Sequence, residues 1–452
     1  MHLLVRENRT LDEQDEAEDL GLPPADLVVL SFTESDLLGL LHAQERLKAE
    51  HGAEGAPPSL QVTSLARLRH PMSVDLYLET TLAQARCVVV RLLGGLDYWH
   101  YGAEELAAWC REHKVPLALL PGEAMRQGTN ASVPMQDDTR LADLSTVPAE
   151  IRNRLNGFFQ HGGTRNMVNA LRLMASIARQ GPDEGAQPEP LPQWGLYRTV
   201  TGVPVVKVTA ADGMDREATR LPSGHVMRAT LVFYRAHLMG GDIAALDLLA
   251  ETLAAQGCTV EMLFVTSLKD PVVAKGVAEA LRRSKPDILL NATLFSSRNP
   301  QGDSPLTGAD VPILQLLQPG ATQAVWERSP RGLSRSDLAM QAVLPELDGS
   351  IATLPISFRA EAPPGLPAAR VPYLPGIRQT ADRALAWARL RYLSPEQKRV
   401  GIILSDYPGA GLTQETGHVA HAVGLDGFAS LASILTLLRA EGYQPGAAPL
   451  PH

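Results

Sequence analysis

The chain has 452 residues, 45% hydrophobic and 20% charged, the balance of a globular protein with room for two to three domains. Its formal net charge of −9 argues against general binding to nucleic acid or to an anionic membrane. Cys87, Cys110 and Cys258 lie far apart with no CxxC spacing, so they read as buried thiols of a reducing compartment, neither a disulfide framework nor a zinc site.

The start of the chain carries six carboxylates between Asp12 and Asp19, which is incompatible with the apolar core of a signal peptide. No apolar run has the length of a transmembrane helix, and the expected location is cytoplasmic. Leu27 to Phe32 reads as a strand and Leu37 to Glu50 as a helix; Leu60 to Leu65 is a second strand. Ser73 to Ala85 reads as a helix with Ser73 as its N-cap. Cys87 to Leu93 is a β-branched strand ending in Gly94-Gly95, Ala103 to His113 a helix, and Val115 to Leu120 a strand. This alternation predicts a parallel-sheet α/β domain over residues 1–180, with ligands expected beyond the carboxyl ends of its strands.

Two loops of this region stand out. In Arg91 to Gly102 (RLLGGLDYWHYG), Tyr98, Trp99, His100 and Tyr101 form an aromatic cluster that either packs as a turn or stacks on a flat ligand. His70, in Arg69 to Ser73, reads as a satisfied loop histidine. Gly162 to Asn166 opens a helix reaching about Ile177, and its glycines suit a helix start or an anion site.

Residues 181–193 form a Pro-rich linker. From Met227 the pattern becomes strand (Ala229 to Tyr234), helix (Ile243 to Gln256), strand (Thr259 to Val265), helix (Val272 to Arg283) and strand (Asp287 to Leu290). This predicts a doubly wound, periplasmic-binding-like α/β region within residues 194–452. Its strand exits carry Arg235, Asp242 and Asn291. Asp242 doubles as a candidate helix cap, and no GxGxxG dinucleotide fingerprint accompanies them. Asn291 to Asn299 (NATLFSSRN) offers polar groups to a cleft.

Val311 to Leu317 is a buried-strand pattern, followed by Pro319-Gly320 and a short helical piece with Trp326. Leu344-Pro345 then leads to Glu346 and Asp348 just before Gly349, which reads as an acid-bearing or simply solvated loop. Ala381 to Leu393 is an amphipathic helix, Arg399 to Leu404 a strand and Phe428 to Glu441 a helix. His418 and His421 stand three apart, a spacing that two metal ligands can share, in a loop that reads more simply as solvated.

Several strings, in order, resemble the large subunit of cobaltochelatase (CobN type) in the CobN/magnesium chelatase H subunit family. They are HPMSVDLYLETT (His70 to Thr81), RLLGGLDYWHYG, Gly162 to Asn166, and Ser329 to Leu333 followed by DLAMQAVLPELDGSI (Asp337 to Ile351). The final loop departs from the family's NYPN and NGVGLD pattern, with His421-Ala422 where Asn-Gly is usual. The resemblance implies ATP-dependent insertion of Co2+ into hydrogenobyrinic acid a,c-diamide in cobalamin biosynthesis. It also implies partner AAA+ ATPase subunits of CobS/CobT type that hydrolyse the ATP; this chain has no GxxxxGK[ST] string.

On this reading Glu346 is the catalytic acid and a metal ligand, with Asp348 its weaker metal-binding partner. Tyr98, Trp99, His100, Arg235, Asp242 and Asn291 are candidate substrate-binding residues. The resemblance covers the N-terminal third or so of the family, so a fragment that is inactive without partners and a C-terminal part is expected. A magnesium chelatase H-like protein and a non-catalytic tetrapyrrole or small-molecule binding module are the alternatives.

Overall fold

The computed structural model describes residues 17–51, 57–122, 139–183, 185–197, 225–363, 365–403, 406–407, 418–419 and 426–444. Two parallel sheets dominate, as the strand–helix alternation predicts. The first contains β1 (Leu27–Ser31), β2 (Leu60–Ser64), β3 (Cys87–Leu92) and β4 (Leu117–Pro121) in the order β2-β1-β3-β4. Alternate side chains of β3 serve opposite faces: Val88 and Val90 enter one apolar core, Cys87 and Val89 the other. Burial on both faces explains the unbroken apolar run.

Helices α1 (Glu34–His51), α2 (Pro71–Thr80), α3 (His100–Glu112), α4 (Thr139–Leu144), α5 (Ala149–His161) and α6 (Gly163–Arg179) cover this sheet. α2, α3 and α4 supply one core, α1, α5 and α6 the other. The predicted cap of α2 is corrected: His70 is the N-cap, its Nδ1 accepting from the Met72 N–H, and Ser73 is buried with its hydroxyl oxygen accepting from Glu18 N. Pro71 fits the first helical position because it lacks the amide a helix start leaves free.

The second sheet has the order β10-β9-β8-β6-β7-β5. Its strands are β5 (Trp194–Tyr197), β6 (Arg228–Tyr234), β7 (Thr259–Val265), β8 (Ile288–Asn291), β9 (Ile313–Leu317) and β10 (Ile351–Pro355), all parallel except β5, which runs antiparallel to β7. α7 (Arg235–Gly240), α8 (Ala244–Ala255) and α9 (Pro271–Ser284) follow β6 and β7. Beyond β9 come α10 (Gln323–Arg328), α11 (Arg335–Asp337), a π-helical stretch (Leu338–Val343) and α12 (Leu344–Leu347). The short pair β11 (Ser357–Arg359) and β12 (Arg370–Pro372) precedes α13 (Leu374–Leu390). α8 and α13 pack on one face, α9 on the other.

Arg399 to Leu404 reads from its apolar pattern as a strand; its described part, residues 399–403, forms no strand pairing among the described residues, and Ile403 is almost fully exposed. β propensity alone does not make a strand. Two-residue strands β13 (Asp406–Tyr407) and β14 (His418–Val419) pair antiparallel, and α14 (Gly427–Ala440) follows.

The two sheets meet through α7, which leaves β6 and lies on α1 and α6. The approach is close: a Cβ at Gly39 would stand 2.8 Å from the Met239 carbonyl oxygen, so the contact requires glycine. His42 Nδ1 donates to the Gly240 carbonyl at 2.9 Å, and Glu34 pairs with Arg359. β1 and β6 therefore both direct their carboxyl ends toward this junction.

Candidate functional site

In the second sheet the chain runs outward from β6 to β7, then returns to β8 on the other side. The gap between the carboxyl ends of β6 and β8 is thus the topological switch point, where open parallel sheets bind ligands. A crevice lies there, bounded by Tyr234, by Ser267–Lys269 after β7 and by Thr293–Ser297 after β8.

The β8 exit is rigidly built. Asn291 Nδ2 donates to Gln315 Oε1 (2.9 Å), and its Oδ1 accepts from the Thr293 N–H (3.1 Å) and hydroxyl (2.7 Å). Gln315 Nε2 donates to the Thr293 carbonyl at 2.8 Å. Asn291 therefore shapes the wall of the crevice from a buried position rather than offering its amide to the opening.

Glu346 and Asp348 lie differently from the expected loop. Glu346 belongs to the helical turn α12, and Asp348 is its C-cap. Pro345 is accommodated because the preceding turn is widened. The Leu344 N–H reaches back to Ala339 O, and the next donor in that ladder would be Pro345, which has none. The freed Met340 carbonyl accepts instead from Phe295 N at 2.9 Å, and Phe295 takes a positive φ of 66° to make that bond. Gln341, buried in the π-helical stretch, extends the β9 edge with its amide. Its Oε1 accepts from Gln318 N (2.7 Å) and its Nε2 donates to Gln318 O (3.1 Å).

The two acids have opposite surroundings. Asp348 is buried and accepts from the Ser296 hydroxyl (2.7 Å), the Ser297 N–H (2.6 Å) and hydroxyl (2.9 Å), and Arg298 Nε (3.2 Å). Both its oxygens are taken up bracing the crevice loop, which leaves little of the carboxylate for a metal ion. Glu346 is exposed, with no hydrogen bond or ion pair for its carboxylate among the described residues. Val343, three residues before it, is apolar and 46% exposed, and the adjoining Leu347 is apolar and 69% exposed.

The aromatic loop of the first sheet divides. Gly94 and Gly95, with φ of 87° and 88°, turn the chain after β3. Trp99 points inward, 6% exposed, its indole N–H donating to Leu68 O at 2.6 Å, so it is a core residue with no free face for a substrate. Tyr98 remains 61% exposed, and His100 is exposed with Nδ1 3.4 Å from Glu104.

Arg235 is buried at the junction, its Nη2 donating to Gln160 O (3.0 Å), His161 O (3.4 Å) and Leu191 O (3.1 Å). It ties α5 and the linker to β6, which occupies the guanidinium expected to hold substrate. Asp242 accepts from the Arg370 N–H at 3.1 Å and so clasps β12, rather than capping α8. Arg370 in turn donates to the Gln318 and Pro319 carbonyls. Burial, followed by the Arg370 charge, holds the nearby His237 imidazole well below its usual range and hence neutral at pH 7. His418 lies on β14, paired in backbone register with Tyr407, and His421 falls outside the described residues.

Among the described residues no group of three or more His, Cys, Asp or Glu converges as a metal site, and no helix is long and apolar enough to cross a membrane. The sequence reading missed Ser267, Lys269, Gln341 and Arg370. Lys269 had one available signal, as one of seven lysines in an arginine-rich chain and placed at a strand exit.

Comparison with known proteins gives a consistent picture. The family model described as CobN/Magnesium Chelatase matches residues 156–451. The chain is 33% identical to the aerobic cobaltochelatase subunit CobN of Sinorhizobium sp, over 99% of its own length and 34% of that protein's. Against the Pseudomonas aeruginosa protein of the same name the figures are 32%, 98% and 33%. The chain therefore spans about a third of the curated relatives it matches. Its fold resembles the catalytic subunit of cobaltochelatase from Mycobacterium tuberculosis, with a TM-score of 0.64 at 23% identity, over 94% of this chain and 32% of the other.

Proposed function

The chain belongs to the CobN/magnesium chelatase family, and from that premise we propose that it carries the ring-binding and metal-insertion face of a cobaltochelatase large subunit. The observation that carries this reading is Glu346: an exposed carboxylate with no partner among the described residues, close in sequence to the apolar, exposed Val343 and Leu347. Such a surface suits a flat conjugated ring with a dissociable proton at its centre.

A corrin binds metal as a monoanion, so insertion breaks the inner N–H bond of the neutral ring, forms metal–nitrogen bonds and releases one proton. Glu346 accepts that proton and meets the incoming hydrated cation, where a hard oxygen ligand exchanges with water. A ring lying across Val343 and Leu347 excludes water from the carboxylate. Asp348 keeps the turn in place by holding the crevice loop.

The ring is hydrogenobyrinic acid a,c-diamide and the metal Co2+; AAA+ partner subunits of CobS/CobT type hydrolyse the ATP that drives insertion. Identity to CobN over nearly the whole chain supports cobalt over magnesium. The corresponding magnesium-chelatase protein of Chlorobaculum parvum is 29% identical over 63% of the chain. Fluorescence titration of the purified chain with hydrogenobyrinic acid a,c-diamide, with protoporphyrin as comparison, tests the reading. Selective corrinoid binding supports it, and binding of neither ring overturns it.

A further inference from the structure

The donors lining the switch-point crevice identify the chemistry it can bind. The Tyr234 hydroxyl donates to Leu294 O (3.0 Å) and the Thr293 hydroxyl to Asn291 Oδ1 (2.7 Å). The Ser296 and Ser297 hydroxyls donate to Asp348. Each hydroxyl has one proton to give, so none of these is available to a ligand. The start of α9 offers nothing either, because Asp270 Oδ1 accepts from the Val272 and Val273 N–H groups at 2.9 and 3.1 Å.

Two lining residues, Ser267 and Lys269, keep side-chain donors not committed in this way. The Ser267 oxygen accepts from Lys269 N at 3.2 Å, which leaves its proton free, and the Lys269 ammonium is exposed without an ion pair among the described residues. A hydroxyl and an ammonium carried by one segment of the lining, with the neighbouring hydroxyls already committed, select a small oxyanion.

We propose that Ser267 and Lys269 bind a carboxylate arm on the rim of the macrocycle, and so set which ring is accepted and how it is turned. This rests on the ring-binding reading above. The coupling is physical: Ser296 and Ser297 line the crevice, and Asp348 joins them to the turn that bears Glu346. An arm held at Lys269 fixes the rotation of the ring relative to that acid.

The test is a fluorescence titration of the full chain with hydrogenobyrinic acid a,c-diamide and with the same corrinoid methyl-esterified at its free carboxylates. The wild type is expected to prefer the free acid by about fivefold, the scale of one partly exposed charge-assisted contact. Lys269→Met and Ser267→Ala should each reduce that preference toward unity, while Lys269→Arg keeps most of it. Both residues are at the surface of the crevice, and unchanged melting temperatures would confirm that the variants fold.

A wild-type preference that survives Lys269→Met and Ser267→Ala overturns the inference and leaves the ring-binding reading intact. Equal binding of acid and ester by the wild type does the same. Failure of the wild type to bind either form overturns both. Inorganic phosphate serves as the free-anion control. If it stabilises the wild type against heat but not Lys269→Met, while the acid–ester preference is unaffected, the pocket serves free anions and the inference fails.

Discussion

Asp348 and Ser297, 51 residues apart in sequence, meet through two hydrogen bonds, from the Ser297 N–H at 2.6 Å and from its hydroxyl at 2.9 Å. This contact joins the loop that walls the switch-point crevice to the turn that presents Glu346. Replacing Asp348 with Ala removes the carboxylate that accepts from the Ser297 amide, two seryl hydroxyls and Arg298 Nε. The expected cost is about 3 kcal/mol, the scale of a buried network broken on one side. Urea denaturation measures it; a loss below about 0.5 kcal/mol would show the brace to be dispensable.

Arg235 holds three backbone carbonyls from α5 and the linker against β6. Arg235→Met keeps the apolar stem but removes every donor. A loss of about 2–4 kcal/mol follows from leaving buried carbonyls unpaired. A denaturation midpoint equal to that of the wild type would contradict this junction role.

Asp247 on α8 carries a pH prediction. Burial pushes its carboxyl up from the usual range to about 6, against the Tyr197 hydroxyl 3.3 Å away and with help from the Glu251 charge. Between the usual value and 6 the folded protein holds the proton more firmly than the unfolded chain, so stability falls as pH rises through that window. Asp247→Asn should therefore stabilise by about 1 kcal/mol near pH 7.5, a figure discounted because the site is only partly buried. The gain should vanish below about pH 4, where both states are protonated. A gain of equal size at both pH values would contradict the assignment.

Leu347 is exposed in the free protein. Leu347→Asp should leave stability within about 0.5 kcal/mol, as surface substitutions do. It should weaken ring binding about tenfold, by removing one apolar side chain from the contact and adding a charge. Unchanged ring affinity in a titration would remove the Glu346 face from the binding surface.

Where local pattern and tertiary context agreed, the sequence was readable. The β-branched runs at β1, β3 and β6 are buried on both faces, and α8 and α9 fall where their periodicity put them. The fold class was legible for that reason. Residues 399–403 read as a strand and form no strand pairing among the described residues, because β propensity alone does not make a strand. The turn around Glu346 was read as a loop because Pro345 normally ends a helix. The π-helical stretch widens the turn just before Pro345, and the Phe295 amide that satisfies the free Met340 carbonyl comes from 45 residues earlier in the chain, which no local rule reports. The surroundings of the candidate side chains were hidden for a related reason. Residue type at a strand exit places a group near the crevice, but whether it faces ligand or protein depends on partners such as Asp348 for the Ser296–Arg298 loop, or Gln160 for Arg235.

The most direct measurement is cobalt insertion by Glu346→Gln in a complete large subunit together with the ATPase subunits proposed as its partners, alongside ring affinity. Glutamine keeps the shape and exposure of the side chain but can neither accept the ring proton nor bind the cation as a carboxylate. The account predicts that insertion falls by about 100-fold or more, the lower range of a general base's contribution, while ring affinity is preserved. Insertion at the wild-type rate would contradict the central role given to Glu346.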